Sequence, residues 1–148
     1  MASKVSVTRS DYSIFYPVTT RWKDNDIYGH VNNVIYYSYF DTAANTFLIK
    51  HCGLDIHNGD IIGLVVSSGC EYLAPIAFPD GIEVGVRIDR LGNSSVQYGL
   101  AIFKDKEPQA SAFGQFIHVF VDRVSHKPVT IPDSMRQRMQ KITVVKAD

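Results

Sequence analysis

Ten consecutive residues, Asp24-Asn25-Asp26-Ile27-Tyr28-Gly29-His30-Val31-Asn32-Asn33, concentrate two carboxylates, an imidazole, a glycine and several carboxamides. A carboxylate can attack an acyl carbonyl carbon, or it can take a proton from a water that does so. Either route needs donors for the carbonyl oxygen as it becomes an oxyanion. Such donors follow directly, because the residues after Asn33 read as a helix. The first turn of a helix carries unpaired N–H groups and about half a positive charge. One oxyanion donor of this kind is typically worth roughly 3 kcal/mol. The segment therefore suits acyl transfer. The same residue types also build turns and helix caps, and Asp-x-Asp-x-x-Gly resembles the opening of a calcium loop. The calcium reading fails because the later oxygen ligands and the closing Glu are missing where the apolar helix begins.

The elements that must position this segment are legible in the hydrophobic pattern. From Asn33 to His51 there is neither Pro nor Gly, and Gly53 lies just beyond. Asn32 or Asn33 can cap the start, while Lys50 and His51 suit the negative end of the helix dipole. Ser38, Asp41, Thr42 and Asn45 form one polar stripe; the rest of the girth is Val, Ile, Tyr, Phe, Ala and Leu. A helix so apolar must be largely enclosed. Strand patterns supply the enclosure. Tyr16 to Trp22 precedes the helix and Ile61 to Tyr72 follows it. Ile82, Val84, Val86 and Ile88 alternate with polar or small residues, as do Val96, Tyr98, Leu100 and Ile102, and Ala110 to Asp122 is a further strand. Short links between the four later strands predict antiparallel neighbours. The expected fold is α+β, a meander-like sheet curled around one long helix. The tail from Pro132 to Asp148 predicts a short surface helix.

Composition narrows the function classes. A chain of 148 residues suits one domain, burying about 70% of the surface that its unfolded form exposes. With 15 basic and 15 acidic side chains, there is no excess charge to neutralise a run of phosphates, so no nucleic-acid partner is expected. No apolar stretch approaches the roughly 20 residues of a membrane span, and Met1 to Arg9 lacks the apolar run of a secretory leader. Cys52 and Cys70 give neither a disulfide framework nor a zinc signature. His57, His118 and His126 lack metal-ligand spacing, and no Gly-x-Ser-x-Gly elbow surrounds Ser67 and Ser68. The expectation is a cytoplasmic single-domain protein with no metal and no membrane association.

The pattern Asp24-x-Asp26-x-x-Gly29-His30-Val31-Asn32-Asn33-x-x-Tyr36-x-x-Tyr39-Phe40 resembles the signature of hotdog-fold acyl-CoA thioesterases of the 4-hydroxybenzoyl-CoA thioesterase type. Cys70-Glu71-Tyr72-Leu73-Ala74-Pro75 is similar to that family's second strand. Arg90-Leu91-Gly92-Asn93-Ser94-Ser95 is similar to its third-to-fourth strand turn, and Pro128 to Arg136 to its closing segment. The likeness runs from about Phe15 to Arg136. It implies a helix wrapped by a curled sheet of about five strands, and a homodimer, often paired into a homotetramer, with active sites at the dimer interface. It implies no cofactor beyond the coenzyme A carried by the substrate.

The resemblance assigns roles residue by residue. Asp26 matches the catalytic carboxylate, as nucleophile or general base, and the backbone N–H of Asn33 matches the donor to the thioester carbonyl. Gly29 matches the turn that brings the chain close to substrate. His30 belongs to a His-Val-Asn-Asn form similar to a branch that includes acyl-ACP thioesterases. It either orients water or thioester, or is a hydrogen-bonded residue that locks the loop. Asp24 reads as a cap or supporting group; Asn32 reads as a cap or a water ligand. Arg90, Asn93, Ser94 and Ser95 resemble the turn that contacts coenzyme A. Tyr28, Val34, Tyr37 and Phe40, with Val65, Ser67 and Gly69 from the facing strand, are the candidate acyl-pocket residues. Hydrolysis of acyl-CoA is the leading expectation. An acyl-ACP thioesterase, a hotdog dehydratase and a non-catalytic acyl-binding dimer are the competitors.

Overall fold

The computed structural model of the chain describes residues 6–144. The opening stretch to Val5, and the part of the expected tail beyond Val144, lie outside the described residues. Strand β1 is Ile14–Thr19, helix α1 is Asn33–Lys50, and β2 (Ile61–Tyr72), β3 (Gly81–Leu91), β4 (Ser95–Lys104) and β5 (Ala112–Asp122) follow, closed by helix α2, Asp133–Gln140. The five strands form one antiparallel sheet in the order β1-β3-β4-β5-β2. Its concave face carries the alternating residues, with Ile82, Val84, Val86 and Ile88 beside Val96, Tyr98, Leu100 and Ile102, all buried. Against them lie Phe40, Ala43, Ala44, Phe47 and Leu48 of α1. The two alanines are small enough to let the helix axis approach the sheet. This is the hotdog fold.

Three expectations need correcting. The meander holds for β3, β4 and β5, but β2 pairs with β5 at the far edge rather than with β3. The reason is the segment 73–80, which crosses the molecule instead of turning back. Both Leu73 and Ala74 donate their N–H to the Ser111 carbonyl, and Ile76 is buried further on. Strand β1 begins and ends earlier than its aromatic content suggests, and Trp22 opens a 3-10 turn, Trp22–Asp24, with 75% of its surface exposed. The C-terminal helix is not merely superficial: Met135 and Met139, spaced one turn apart, are buried in the core, and Arg138 Nη1 donates to the His51 carbonyl at 3.0 Å. Methionine at that spacing is a core stripe that the charged neighbours disguise.

The convex face is partly roofed. Val7, Tyr12, Ala101, Phe103 and Ala110 form a second apolar cluster beneath the segment that carries a 3-10 turn, Arg9–Asp11. The Arg9 guanidinium lies 4.9 Å from the Phe103 ring centroid and pairs with Glu83 at 2.8 Å. No helix among the described residues is long and apolar enough to cross a membrane.

Candidate active site

Residues 24–33 fold into two linked devices, a tight hairpin and a helix cap. In the hairpin, the Asp26 N–H donates to the His30 carbonyl at 2.9 Å, the Gly29 N–H donates to the Asp26 carbonyl at 3.1 Å, and Asn25 bridges Val31. Gly29 closes this three-residue turn at φ +80, the left-handed region that a Cβ disfavours. A Cβ there would meet nothing within 4 Å, so glycine answers a conformational need and not a crowded one. Asn25 Oδ1 accepts the Phe78 N–H at 3.0 Å, which moors the hairpin to the crossover segment.

The two carboxylates, two residues apart, have separate fates. Asp24 is 1% exposed. Its carboxylate accepts the Tyr39 hydroxyl at 2.8 Å, the Arg21 backbone N–H at 2.9 Å and the Arg21 guanidinium at 3.1 Å. Burial alone would raise its pKa, but these bonds outweigh it and hold the carboxyl below its ordinary range. Asp24 is a structural anchor, and its own carbonyl accepts the Asn32 N–H at 2.9 Å. Asp26 is half-buried. Its Oδ1 accepts the Tyr28 N–H at 2.9 Å, and no cation pairs with it among the described residues.

Asn32 is the helix cap. Its Oδ1 accepts the Val34 N–H at 3.0 Å and its carbonyl accepts the Ile35 N–H at 2.9 Å. The cap leaves the Asn33 N–H, first of the helix, with no acceptor among the described residues, on an exposed residue. The His30 imidazole is exposed, and it is the His30 backbone carbonyl that closes the hairpin. A locking role for the ring is therefore corrected: the lock is the main chain.

Two open recesses flank the hairpin. Trp22, Lys23, Asn25, Asp26, Ile27 and Gly29 line one, of about 600 Å³. The other, of about 350 Å³, is lined by His30, Val31, Asn33 and Tyr36 with Tyr72 to Pro75 from the end of β2. Asp26 and Asn33 thus border adjoining hollows of the single chain rather than one closed pocket.

The other site candidates scatter more widely. Tyr28 and Val34 stand 79% and 66% exposed around the hairpin. Tyr37 is half-buried. Phe40 is fully buried and packs edge-on against Phe116 at 6.1 Å, so it is core and not pocket wall. The expected stripe of Val65, Ser67 and Gly69 is broken by a bulge between Val65 and Ser67. Val65 pairs with the inward His118, whereas Ser67 pairs with Ile117 and Gly69 with Gln115 on the opposite face. Arg90, Asn93, Ser94 and Ser95 lie at the other end of the molecule. Their turn is pinned to the C-terminal segment through Arg136 Nη2, which donates to the Gly92 and Asn93 carbonyls at 2.9 and 3.0 Å. Roughly 27 Å of helix separates the two ends, so one chain does not bring this turn to Asp26.

Sequence does not single out Tyr72 as a site residue. It ends a strand like any other half-exposed aromatic, yet its hydroxyl donates to the Asn33 carbonyl at 3.1 Å. Both thiols are unpaired, and burial pushes Cys52 and Cys70 up to about 11.

A five-stranded hotdog sheet around a helix whose open N-terminus directly follows a carboxylate-bearing turn narrows the class sharply. The profile of the thioesterase superfamily matches residues 28–111, and the chain belongs to that superfamily. The solved structure of the PA5185 protein from Pseudomonas aeruginosa strain PAO1 is 56% identical, with a TM-score of 0.92 over 94% of this chain and 97% of that one. A thioesterase from Thermus thermophilus, solved in complex with coenzyme A and Zn, is 27% identical, with a TM-score of 0.74 over 87% of this chain and 98% of that one. The chloroplastic acyl-acyl carrier protein thioesterase ATL3 of Arabidopsis thaliana is 27% identical over 85% of this chain and 68% of its own length.

Proposed function

We propose that the protein hydrolyses acyl-CoA thioesters to a carboxylic acid and free coenzyme A, in the cytoplasm, without a metal or redox cofactor. The observation that carries this reading is the Asn33 N–H, unspent among the described residues, at the mouth of an 18-residue helix, seven positions after a carboxylate with which no cation of the described residues pairs. In the reaction the thioester carbonyl oxygen accepts the Asn33 N–H, which stabilises the charge that builds on it. Asp26, with Oδ1 held by Tyr28, offers its other oxygen. It either attacks the carbonyl carbon, expelling the thiolate and leaving a mixed anhydride for water to cleave, or takes a proton from the attacking water. His30, exposed beside Asn33, orients that water or the thioester. The acyl chain lies toward Tyr28, Val34 and Tyr37.

A homodimer, extended to a homotetramer, completes the proposal. Leu64, Val65 and Val66 are exposed on the outermost strand of the sheet, an apolar edge suited to a second copy. A second chain also supplies what one chain does not bring together: an Arg90–Ser95 turn near the Asp26 mouth, with arginine and hydroxyls suited to the phosphates of coenzyme A.

A second reading replaces coenzyme A by an acyl carrier protein, and the likeness to the chloroplastic relative favours it. One panel separates the possibilities. Thiol release from acyl-CoAs of graded chain length is measured beside release from the same acyl groups on a carrier protein. Faster turnover of the CoA series supports the proposal, and preference for the carrier supports the second reading. Enoyl product without thiol would mark a dehydratase. Tight binding without thiol release would mark a non-catalytic module.

A further inference from the structure

The first amide of α1 is useful as an oxyanion donor only if the frayed end of the helix is held still. Two groups, from the end of β2 and the crossover after it, bracket that amide. On the upstream side, the Ile76 carbonyl accepts the Val31 N–H at 2.7 Å. On the downstream side, the Tyr72 hydroxyl donates to the Asn33 carbonyl at 3.1 Å. The strand end that carries Tyr72 is itself fixed, with Tyr72 paired to Ala112 and the Leu73 and Ala74 N–H groups both on the Ser111 carbonyl. The ring is oriented by an edge-on contact with the buried Tyr36 ring, at 4.9 Å and 85°. Tyr72 also lines the recess that Asn33 and His30 share. The phenol is protonated at neutral pH, as an ordinary tyrosine is, and so is a donor.

We infer that Tyr72 is a positioning residue for the proposed thioesterase reaction: its hydroxyl, clamped on the Asn33 carbonyl, aims the Asn33 N–H at the thioester oxygen. This rests on the active-site reading above and extends it to a residue outside the hairpin. Because the clamp acts on a donor needed most in the transition state, its loss falls on kcat and not on substrate affinity. The ring has a separate duty as a wall, which the hydroxyl does not share.

The test compares Tyr72→Phe and Tyr72→Leu with the native protein in steady-state hydrolysis of its best acyl-CoA, together with hydrogen exchange at the bonded first-turn amides of Val34 and Ile35. The phenylalanine variant is expected to lose about 10-fold in kcat with KM within twofold, and to exchange those amides faster while the sheet exchanges as before. The leucine variant is expected to add a rise in KM. Native kcat in Tyr72→Phe overturns the inference, as does unchanged exchange in the first turn. If the native protein releases no thiol from any acyl-CoA or acyl carrier, the active-site reading fails, and the catalytic role of Tyr72 fails with it. The exchange result then reports separately whether the clamp exists.

Discussion

The two ends of α1 are finished in opposite ways. At the C-terminal end, the His51 and Cys52 N–H groups both donate to the Phe47 carbonyl, Leu54 donates to the Leu48 carbonyl, and Gly53 sits at φ +72 as the chain leaves the helix. Arg138 covers the His51 carbonyl, and Met135 and Met139 plug the core below. At the N-terminal end, Asn32 supplies one cap and the helix then stops being satisfied. An amide is left over, a carboxylate waits in the preceding turn, and Trp22, Ile27, Tyr28 and Val34 stand exposed around them. One end of the central helix is thus wound down by main-chain bonds and packed on the core, while the other is left open. On the function proposed above, the open end is where a ligand or a second chain completes the structure.

That contrast can be broken by mutation. The largest stability loss is expected from Asp24→Ala, which strands the buried Tyr39 hydroxyl and removes the acceptor of the Arg21 backbone N–H, and should cost about 3–4 kcal/mol in urea unfolding. At the closed end, Met139→Ala should cost about 3 kcal/mol through its cavity, with KM for acyl-CoA unchanged in the folded fraction. Asn32→Ala should cost only about 1 kcal/mol yet lower kcat far more than that loss of folded protein explains, because it unmoors the first turn. A stability loss without the disproportionate loss of kcat would erase the distinction between the two ends.

Acid sharpens the comparison between the core and the mouth. His118 is 1% exposed beneath the helix, with Nδ1 3.2 Å from the Tyr98 hydroxyl, and burial pushes its pKa down from 6.5 to about 4. The unfolded chain therefore binds this proton more readily than the native one. Stability falls as pH drops from about 6.5 toward 4, by up to roughly 3 kcal/mol for this group. Asp24 has a depressed pKa, and its contribution, present above the ordinary carboxylate range, is lost only as pH falls further through its folded value. His118→Gln should flatten the loss of urea midpoint between pH 7 and 4.5. An unaltered slope would show that this imidazole is not the titrating group.

Much of the arrangement is legible in the sequence. The helix bounds and β2 follow from unbroken patterns ended by Gly53, Gly59 and Pro75, and the all-round apolar helix demanded its wrapping. The Asp26–Asn33 segment was visible because turn and cap residues have few alternative uses. What escaped was non-local or irregular. Nothing in the alternation of β2 announces the bulge that turns Ser67 to the outer face, and nothing in the length of segment 73–80 says that it crosses instead of turning. The Arg90–Ser95 turn looked close to the site only because a second copy was implied. Tyr72 acts through a hydroxyl reaching a carbonyl 39 positions away, a contact without a sequence signature.

The central claim is that the open mouth of α1 is a hydrolytic centre driven by Asp26. Asp26 is half-buried and its carboxylate accepts a single described hydrogen bond, at an oxygen that asparagine retains, so Asp26→Asn should leave the melting temperature nearly unchanged. The decisive measurement is kcat for thiol release by this variant on the best acyl-CoA: the account predicts a fall of about 1,000-fold or more in a protein as stable as the native one. Turnover near the native rate would contradict it.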